Sequence, residues 1–295
     1  MINQQQILIS IILPTFNHAK FLKKAIESVI NQSYINWELI IIDNNSTDET
    51  FEIVNSYSDR RIKYSKIHNN GVIAASRNLG IRLSNGSWIA FIDSDDWWTN
   101  NKLSKSVEYI NTNKFDLIYH DLFLVYKSNQ NSFKKLARSR NLYFPIFEDL
   151  LLNGNGILNS SVLVRKVLLE EVGLISCDIN KITWEDYDCW LRISRKTNRF
   201  YYIKETLGYY WAAGGNMTNP DQDLKNSKSI YNKYIKGRYD IIPSWILFSE
   251  GKALVKKGYI QEGIYKFKKI SFTNYSLIEF TKAQLKIVQS FIKYL

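Results

Sequence analysis

The chain has 295 residues, 45% of them hydrophobic and 23% charged, which is enough apolar material for a sizeable core and too much for a disordered polymer. Lys and Arg number 39 against 28 Asp and Glu, and the resulting +11 raises the question of an anionic partner: nucleic acid, a lipid surface or a phosphorylated substrate. Cys177 and Cys189 fit neither a disulfide framework nor a zinc pattern, and no stretch approaches the ~20 apolar residues that a membrane-spanning helix requires.

The cysteine usage suits a reducing cytosol, and residues 7–13 form an Ile-rich run that is too short for a signal peptide and lacks its basic leader. That run and residues 38–42 read as strands covered on both faces of a parallel sheet. Between them Phe21, Leu22, Ala25, Ile26, Val29 and Ile30 repeat at helical spacing, which completes a βαβ unit. A second helix is expected after residues 46–48, capped by Ser46 or Thr47 with Glu49 in its first turn. A strand at 62–66, a helix at 74–83 and a strand at 88–92 continue the alternation, so the class is α/β with right-handed crossovers. Past Asp96 the spacing predicts a helix at 102–111, a strand at 117–119, a loop-rich region through Gly154-Asn155-Gly156, a strand at 161–164 and a helix at 184–195. Residues 244–257 and 261–270 read as two helices joined near Gly258, followed by a basic amphipathic stretch. A boundary is expected near residue 220, between residues 1–219 and a basic helical region at 220–295.

Ligands of open parallel sheets bind at the carboxyl ends of the strands. There the sequence places Pro14-Thr15-Phe16-Asn17, then Asp43-Asn44-Asn45-Ser46-Thr47-Asp48, then Asp93-Ser94-Asp95-Asp96. Each cluster alone reads equally well as a loop or helix cap. Two acids one residue apart at the end of a buried strand repel each other unless a cation or hydrogen-bond donors offset the charge, and hard oxygen ligands select Mg²⁺ or Mn²⁺.

These segments, together with Asn70-Gly71, Ala75-Ser76-Arg77-Asn78-x-Gly80 and Trp184-Glu185-Asp186-Tyr187-Asp188, resemble in order and spacing the motifs of family 2 glycosyltransferases, from about residue 10 to residue 218. The resemblance implies a GT-A fold, a Rossmann-like and mostly parallel central sheet flanked by helices, here with a C-terminal helical extension; residues 1–219 would be the catalytic domain, with a nucleotide-sugar half at about 1–100 and an acceptor half at about 101–219. It also implies inverting transfer of a sugar from a nucleotide diphosphate, UDP-sugar favoured, to a hydroxyl of a glycan or lipid-linked acceptor in surface polysaccharide synthesis. By the same resemblance the nucleotide-sugar contacts are Pro14, Thr15, Asn17, Asp43, Asn45, Arg77, Asp93 and Ser94. Thr15, Asn17 and Asp43 would line the base pocket, Arg77 would sit near the base or diphosphate, and Asp93 near the ribose and sugar. Asp95 would be the principal ligand of Mg²⁺ or Mn²⁺, while Asp96 has the alternative of capping the next turn.

Asp186 is expected to take the acceptor proton, with Glu185 orienting the acceptor or a neighbouring base and Asp188 supporting the helix start. Trp184 has two readings, stacking on an acceptor sugar or burial. The sequence departs from the family pattern at Asp-Asn-Asn, where Asp-Asp-Gly is usual; Asn45 can adopt a left-handed conformation, but the nucleotide contacts of Asn44 are in doubt. Residues 209–218 resemble the closing loop after the base helix, with Trp211 and Ala213 where many relatives carry Arg and His, so a histidine metal ligand is not expected.

The rivals are a sugar-1-phosphate nucleotidyltransferase, which would need a Gly-rich phosphate loop after strand one, and a noncatalytic sugar-nucleotide-binding subunit, against which Asp95 and Asp186 argue. Residues 221–295 hold 14 Lys/Arg and 6 Asp/Glu. This tail reads as attachment to an anionic membrane surface, as a partner-binding helical pair or as simple packing. Nucleic acid is not expected, for no recognition motif accompanies the charge. The expected location is cytoplasmic, with the inner face of the plasma membrane as a peripheral site.

Overall fold

A computed structural model describes residues 7–178, 184–213, 219–270, 281–286 and 289. The elements in chain order are β1 (Ile9–Thr15), α1 (Ala19–Ile30), β2 (Trp37–Asp43), α2 (Thr50–Asn55), β3 (Ile62–Lys66), α3 (Ile73–Leu83), β4 (Trp88–Phe91), β5 (Trp97–Trp98) and α4 (Lys102–Ile110). There follow β6 (Leu117–Val125), β7 (Leu136–Ala137), α5 (Ile146–Asn153), β8 (Leu163–Arg165), α6 (Lys166–Glu171), α7 (Glu185–Ser194), β9 (Phe200–Trp211), α8 (Pro220–Ile230), α9 (Ser244–Lys256) and α10 (Ile260–Lys268).

Two compact units divide the chain. Unit 1 comprises residues 1–142, 156–177 and 192–215, and unit 2 comprises 143–155, 178–191 and 216–295. Unit 1 contains the sheet, in the order β3-β2-β1-β4-β8-β6-β9-β5 with β7 beside β6. Pairing is parallel across β3, β2, β1 and β4, and again between β6 and β9, whereas β8, β7 and β5 pair antiparallel. Every residue of β1 and β2 is buried, as continuous Ile-rich runs require when helices cover both faces of a sheet. One apolar cluster joins Ile9, Ile11 and Leu13 of β1 to Leu22, Ile26 and Val29 of α1, so the periodicity read from the sequence is the packing face. Gly80 lets α3 lie directly on the sheet: a Cβ there would come within 2.6 Å of Ile12 Cγ2.

Unit 2 is helical. Its α9 and α10 share a core of Leu247, Phe267 and Ile270, completed by Ala283. Several elements depart from the sequence reading, which contained none of β5, β7 and α6. The region through Gly156 contains α5, the parallel partner of β6 is the twelve-residue β9, and α8 precedes the expected helical pair. Tyr209–Trp211, expected in a closing loop, are the end of β9, where strand pairing with β6 holds them; residues 214–218 of that expected loop lie outside the described residues.

Candidate functional site

In unit 1, β2, β1 and β4 lie side by side, and parallel pairing places the residues following them at one edge of the sheet. Thr15 faces Asp43 in register. Pro14 is buried inside β1 beyond the stretch that pairs with β4, where its missing N–H costs no ladder bond on that side. The loops after β1 and β2 are laced together: Asn17 N–H donates to Ser46 Oγ at 2.9 Å, Thr47 N–H to Asn17 Oδ1 at 2.8 Å, and Ala19 N–H to Asp48 Oδ2 at 2.9 Å. Two asparagines make these turns possible, Asn17 at φ +49° and Asn45 at φ +54°. The left-handed conformation expected of Asn45 is therefore present.

Asp43 is fully buried, and both its oxygens are engaged: Oδ1 accepts from Ser46 N–H and Oγ, and Oδ2 from Tyr64 OH at 2.6 Å. Burial, reinforced by Asp43, pushes the Tyr64 phenol upward and keeps it a donor. Any base N–H reaching Asp43 would use a remaining lone pair. This geometry corrects the expected cap of α2. The carboxylate of Asp43 draws Ser46 into a charge-assisted bond, Thr47 turns to Asn17, and Asp48 Oδ1 accepts from Thr50 N–H and Oγ1 instead. Asn44, in doubt as a nucleotide contact, accepts Asn69 N–H at 2.8 Å and so ties the loop before α3 to the site. Thr15 Oγ1 is buried with no partner among the described residues, an unmet polar group at the edge where a ligand would meet it.

The acids after β4 have distinct environments. Asp93 Oδ1 accepts from Arg77 at 2.7 Å; the Arg77 side chain is 5% exposed and that of Asp93 29%, so the guanidinium is held from inside and the carboxylate keeps an open side. Asp93 N–H is held by Ser160 Oγ, and Ser94 Oγ lies 2.8 Å from His18 Nδ1. Asp95 is raised to about 6 by burial and by the charge of Asp93, with His18 opposing. Asp96 is 2% exposed and also displaced upward, by burial first and then by Asp93 and Asp95. It does not cap the following turn; its Oδ1 accepts Trp211 N–H at 2.9 Å, which fastens the acidic loop to the end of β9.

Unit 2 holds the other acidic motif. Glu185, Asp186 and Asp188 occupy the first turn of α7, where the helix dipole favours carboxylates. Glu185 is buried, Asp186 is partly exposed, and its Oδ1 accepts Tyr187 N–H at 2.7 Å. Asp188 does more than support the helix start. It is wholly buried and receives Lys233 Nζ at 2.5 Å and Tyr234 OH at 2.8 Å, so it anchors the segment after α8.

Residues 10–173, more than half the chain, match the family model described as glycosyl transferase family 2. The chain belongs to this glycosyltransferase family. Over 238 residues this glycosyltransferase is 29% identical to the Escherichia coli UDP-Glc:alpha-D-GlcNAc-diphosphoundecaprenol beta-1,3-glucosyltransferase WfaP, covering 80% of the present chain and 90% of that protein. Its fold is shared with Staphylococcus aureus TarS 1-349, solved with UDP-GlcNAc, at a TM-score of 0.62 and 17% identity over 96% of this chain and 81% of that one. It is shared as well with the mannosyltransferase PcManGT of Pyrobaculum calidifontis, solved with GDP-Man and Mn2+, at a TM-score of 0.58 and 14% identity over 97% and 86% of the two chains. The expected GT-A architecture is thus the fold of this glycosyltransferase.

A divalent cation suits the acids after β4. Asp95 offers hard oxygens whose negative charge is disfavoured by burial and then by Asp93, and a cation would relieve that cost. Among the described residues no three or more His, Cys, Asp or Glu gather around one point; phosphate oxygens and water are hard ligands that could share a cation with Asp95. Sequence reading of this glycosyltransferase passed over His18, Tyr64 and Ser160. Only His18 carried a signal, its place directly after Pro14-Thr15-Phe16-Asn17; the other two reach the site by tertiary contact alone.

Proposed function

We propose that the protein is an inverting glycosyltransferase that uses a UDP-sugar and Mg²⁺ or Mn²⁺ to glycosylate a hydroxyl of a lipid-linked glycan during surface polysaccharide synthesis. The observation that carries the donor half is the acidic loop after β4, where Asp95 bears an electrostatic cost that a metal-bound diphosphate would remove. Thr15 and Asn17 contact the nucleoside, Asp43 orders the loop containing Asn45 beside it, and Arg77 holds Asp93 toward the ribose and sugar, with Ser94 fixed by His18. Pro14 sets the end of β1. The metal, when bound, neutralises charge building on the departing diphosphate.

Asp186 accepts the proton of the acceptor hydroxyl as that oxygen forms its bond to the anomeric carbon; the bond to the diphosphate breaks on the opposite face, nucleoside diphosphate leaves, and the configuration inverts. Glu185 positions the acceptor. The undecaprenol-linked acceptor named for the Escherichia coli relative supports the lipid-linked reading. The basic region at 220–295 supports peripheral contact with an anionic membrane from the cytoplasmic side. No helix among the described residues is long and apolar enough to cross a membrane.

The test is a thermal-shift panel of UDP, GDP and dTDP with and without Mn²⁺, joined to assay of Asp186→Asn. Selective stabilisation by UDP plus metal is expected, because a ligand that binds only the native state raises its stability by mass action. Asp186→Asn should keep that stabilisation and lose transfer. Near-normal turnover by this variant would remove Asp186 from its role, and equal shifts with all three nucleotides would remove the preference for uridine.

A further inference from the structure

We infer that unit 2 contains a subsite for one sugar ring of the glycan acceptor, formed by Trp184, Tyr187 and Trp245 against Asn153, Gly154 and Asn155. The inference rests on the glycosyltransferase reading above and adds to it a place and a chemical class. These six residues line a cavity of about 280 Å³, near the lower end of ligand pockets and suited to a single ring.

The cavity is built by the end of α5. A helix leaves its last carbonyls without intrahelical donors, and two of those in α5 are taken by aromatic side chains. Tyr187 OH donates to Leu150 O at 2.7 Å and Trp245 Nε1 to Leu151 O at 2.9 Å. Gly154, at φ +80°, then passes so close under the indole of Trp245 that a Cβ would sit 3.1 Å from its Cγ. Trp184 and Trp245 stand 5.9 Å apart at 49°, and Tyr187 meets Trp245 edge-on at 5.7 Å. Both tryptophans are only partly buried, although indoles of this size in a helical core would be expected to be covered.

Aromatic walls and amides are the two halves of sugar recognition. A pyranose has an apolar face of C–H groups, which lies against the electron-rich face of an indole, and a rim of hydroxyls, which needs donors and acceptors. Asn153 supplies the second half. Its Nδ2 is held by Asp149 Oδ1 at 2.7 Å, while its Oδ1 is buried with no partner among the described residues, an acceptor that a sugar hydroxyl would satisfy. The ring belongs to the acceptor because Trp184 and Tyr187 flank Glu185 and Asp186, the pair whose proposed work is on the acceptor hydroxyl, whereas the donor contacts are all in unit 1.

The test uses the whole chain and saturation-transfer NMR with two probes, methyl β-glucopyranoside and its 2-acetamido-2-deoxy analogue, in the presence of UDP and diamagnetic Mg²⁺. Saturation of the ring C–H protons is expected with millimolar affinity, weakened roughly fivefold or more in Trp245→Phe and in Asn153→Ala. Trp245→Phe keeps an aromatic ring in the packing, and melting curves without ligand verify that each variant is folded; if one is not, the other decides. Undiminished saturation in a folded variant, or none at about 50 mM glycoside, overturns the subsite. UDP-induced thermal shift in the same samples reads the donor proposal separately: a shift with no glycoside contact removes the subsite alone, and glycoside contact with no shift supports the subsite and removes the uridine donor.

Discussion

Replacing Asp95 with asparagine should stabilise the metal-free protein while it abolishes sugar transfer. Asp95 is lifted from 3.8 to about 6, first by burial and then by Asp93, so the native state binds the Asp95 proton more tightly than the unfolded chain does. The sign follows: the stability associated with that proton is fully present below 3.8 and is gone once the pH has risen through about 6. The full difference corresponds to ~3 kcal/mol. Asp95 is only partly buried, so solvent screening reduces the recoverable amount to about 1–2 kcal/mol. In a chain of this size that is a rise in Tm of roughly 1.5–3 °C.

The assay is urea and thermal unfolding of both proteins in EDTA, at about pH 7.5 and at about pH 4, with Mn²⁺ and UDP then restored. The variant should be the more stable at the higher pH, lose that advantage at the lower one, and gain less than the parent from Mn²⁺ and UDP. An asparagine variant no more stable than the parent at the higher pH would refute the view that the acidic loop is electrostatically strained in wait for a cation.

Tyr234→Phe removes a donor to the buried carboxylate of Asp188 and keeps the ring that meets Phe147 at 6.2 Å; a loss of about 1.5–3 kcal/mol is expected in urea unfolding. Glu38 offers the opposite pH signature to Asp95. Burial alone would raise it, but hydrogen bonds from Lys63, Ser10 and Asn85 prevail and hold it at about 2, so its contribution is present above 4.5 and is lost as the pH falls through about 2. With Lys63 45% exposed the contribution is discounted to about 1–2 kcal/mol, and Glu38→Gln should flatten the acid limb of the stability curve by that amount.

The strands β1 and β2 and the loops that follow them were legible because each carries its own local signal. The Ile runs of β1 and β2 can be satisfied only by burial on both faces, and Asn45 stands at the position of its turn that needs a positive φ. The start of α8 was equally readable in principle, with Asn219 accepting Gln222 N–H and Pro220 beginning the helix, but its sparse apolar face gave periodicity nothing to detect. β9 was hidden for another reason. Its residues alternate irregularly between buried and exposed, and two register shifts interrupt its parallel pairing with β6, so no period of two survives in the sequence. Trp245 lies far along the chain from Trp184, and only the fold of unit 2 brings the two indoles together.

The bond between Asp96 and residue 211 goes to the backbone, and therefore no change of side chain at 211 other than proline can delete it. The side chain at that position is consequently free to differ, and an indole packed on Phe21 can stand there without loosening the acidic turn. Alanine scanning would score Trp211 by its packing alone and overlook the tether, which a backbone ester at that residue would expose.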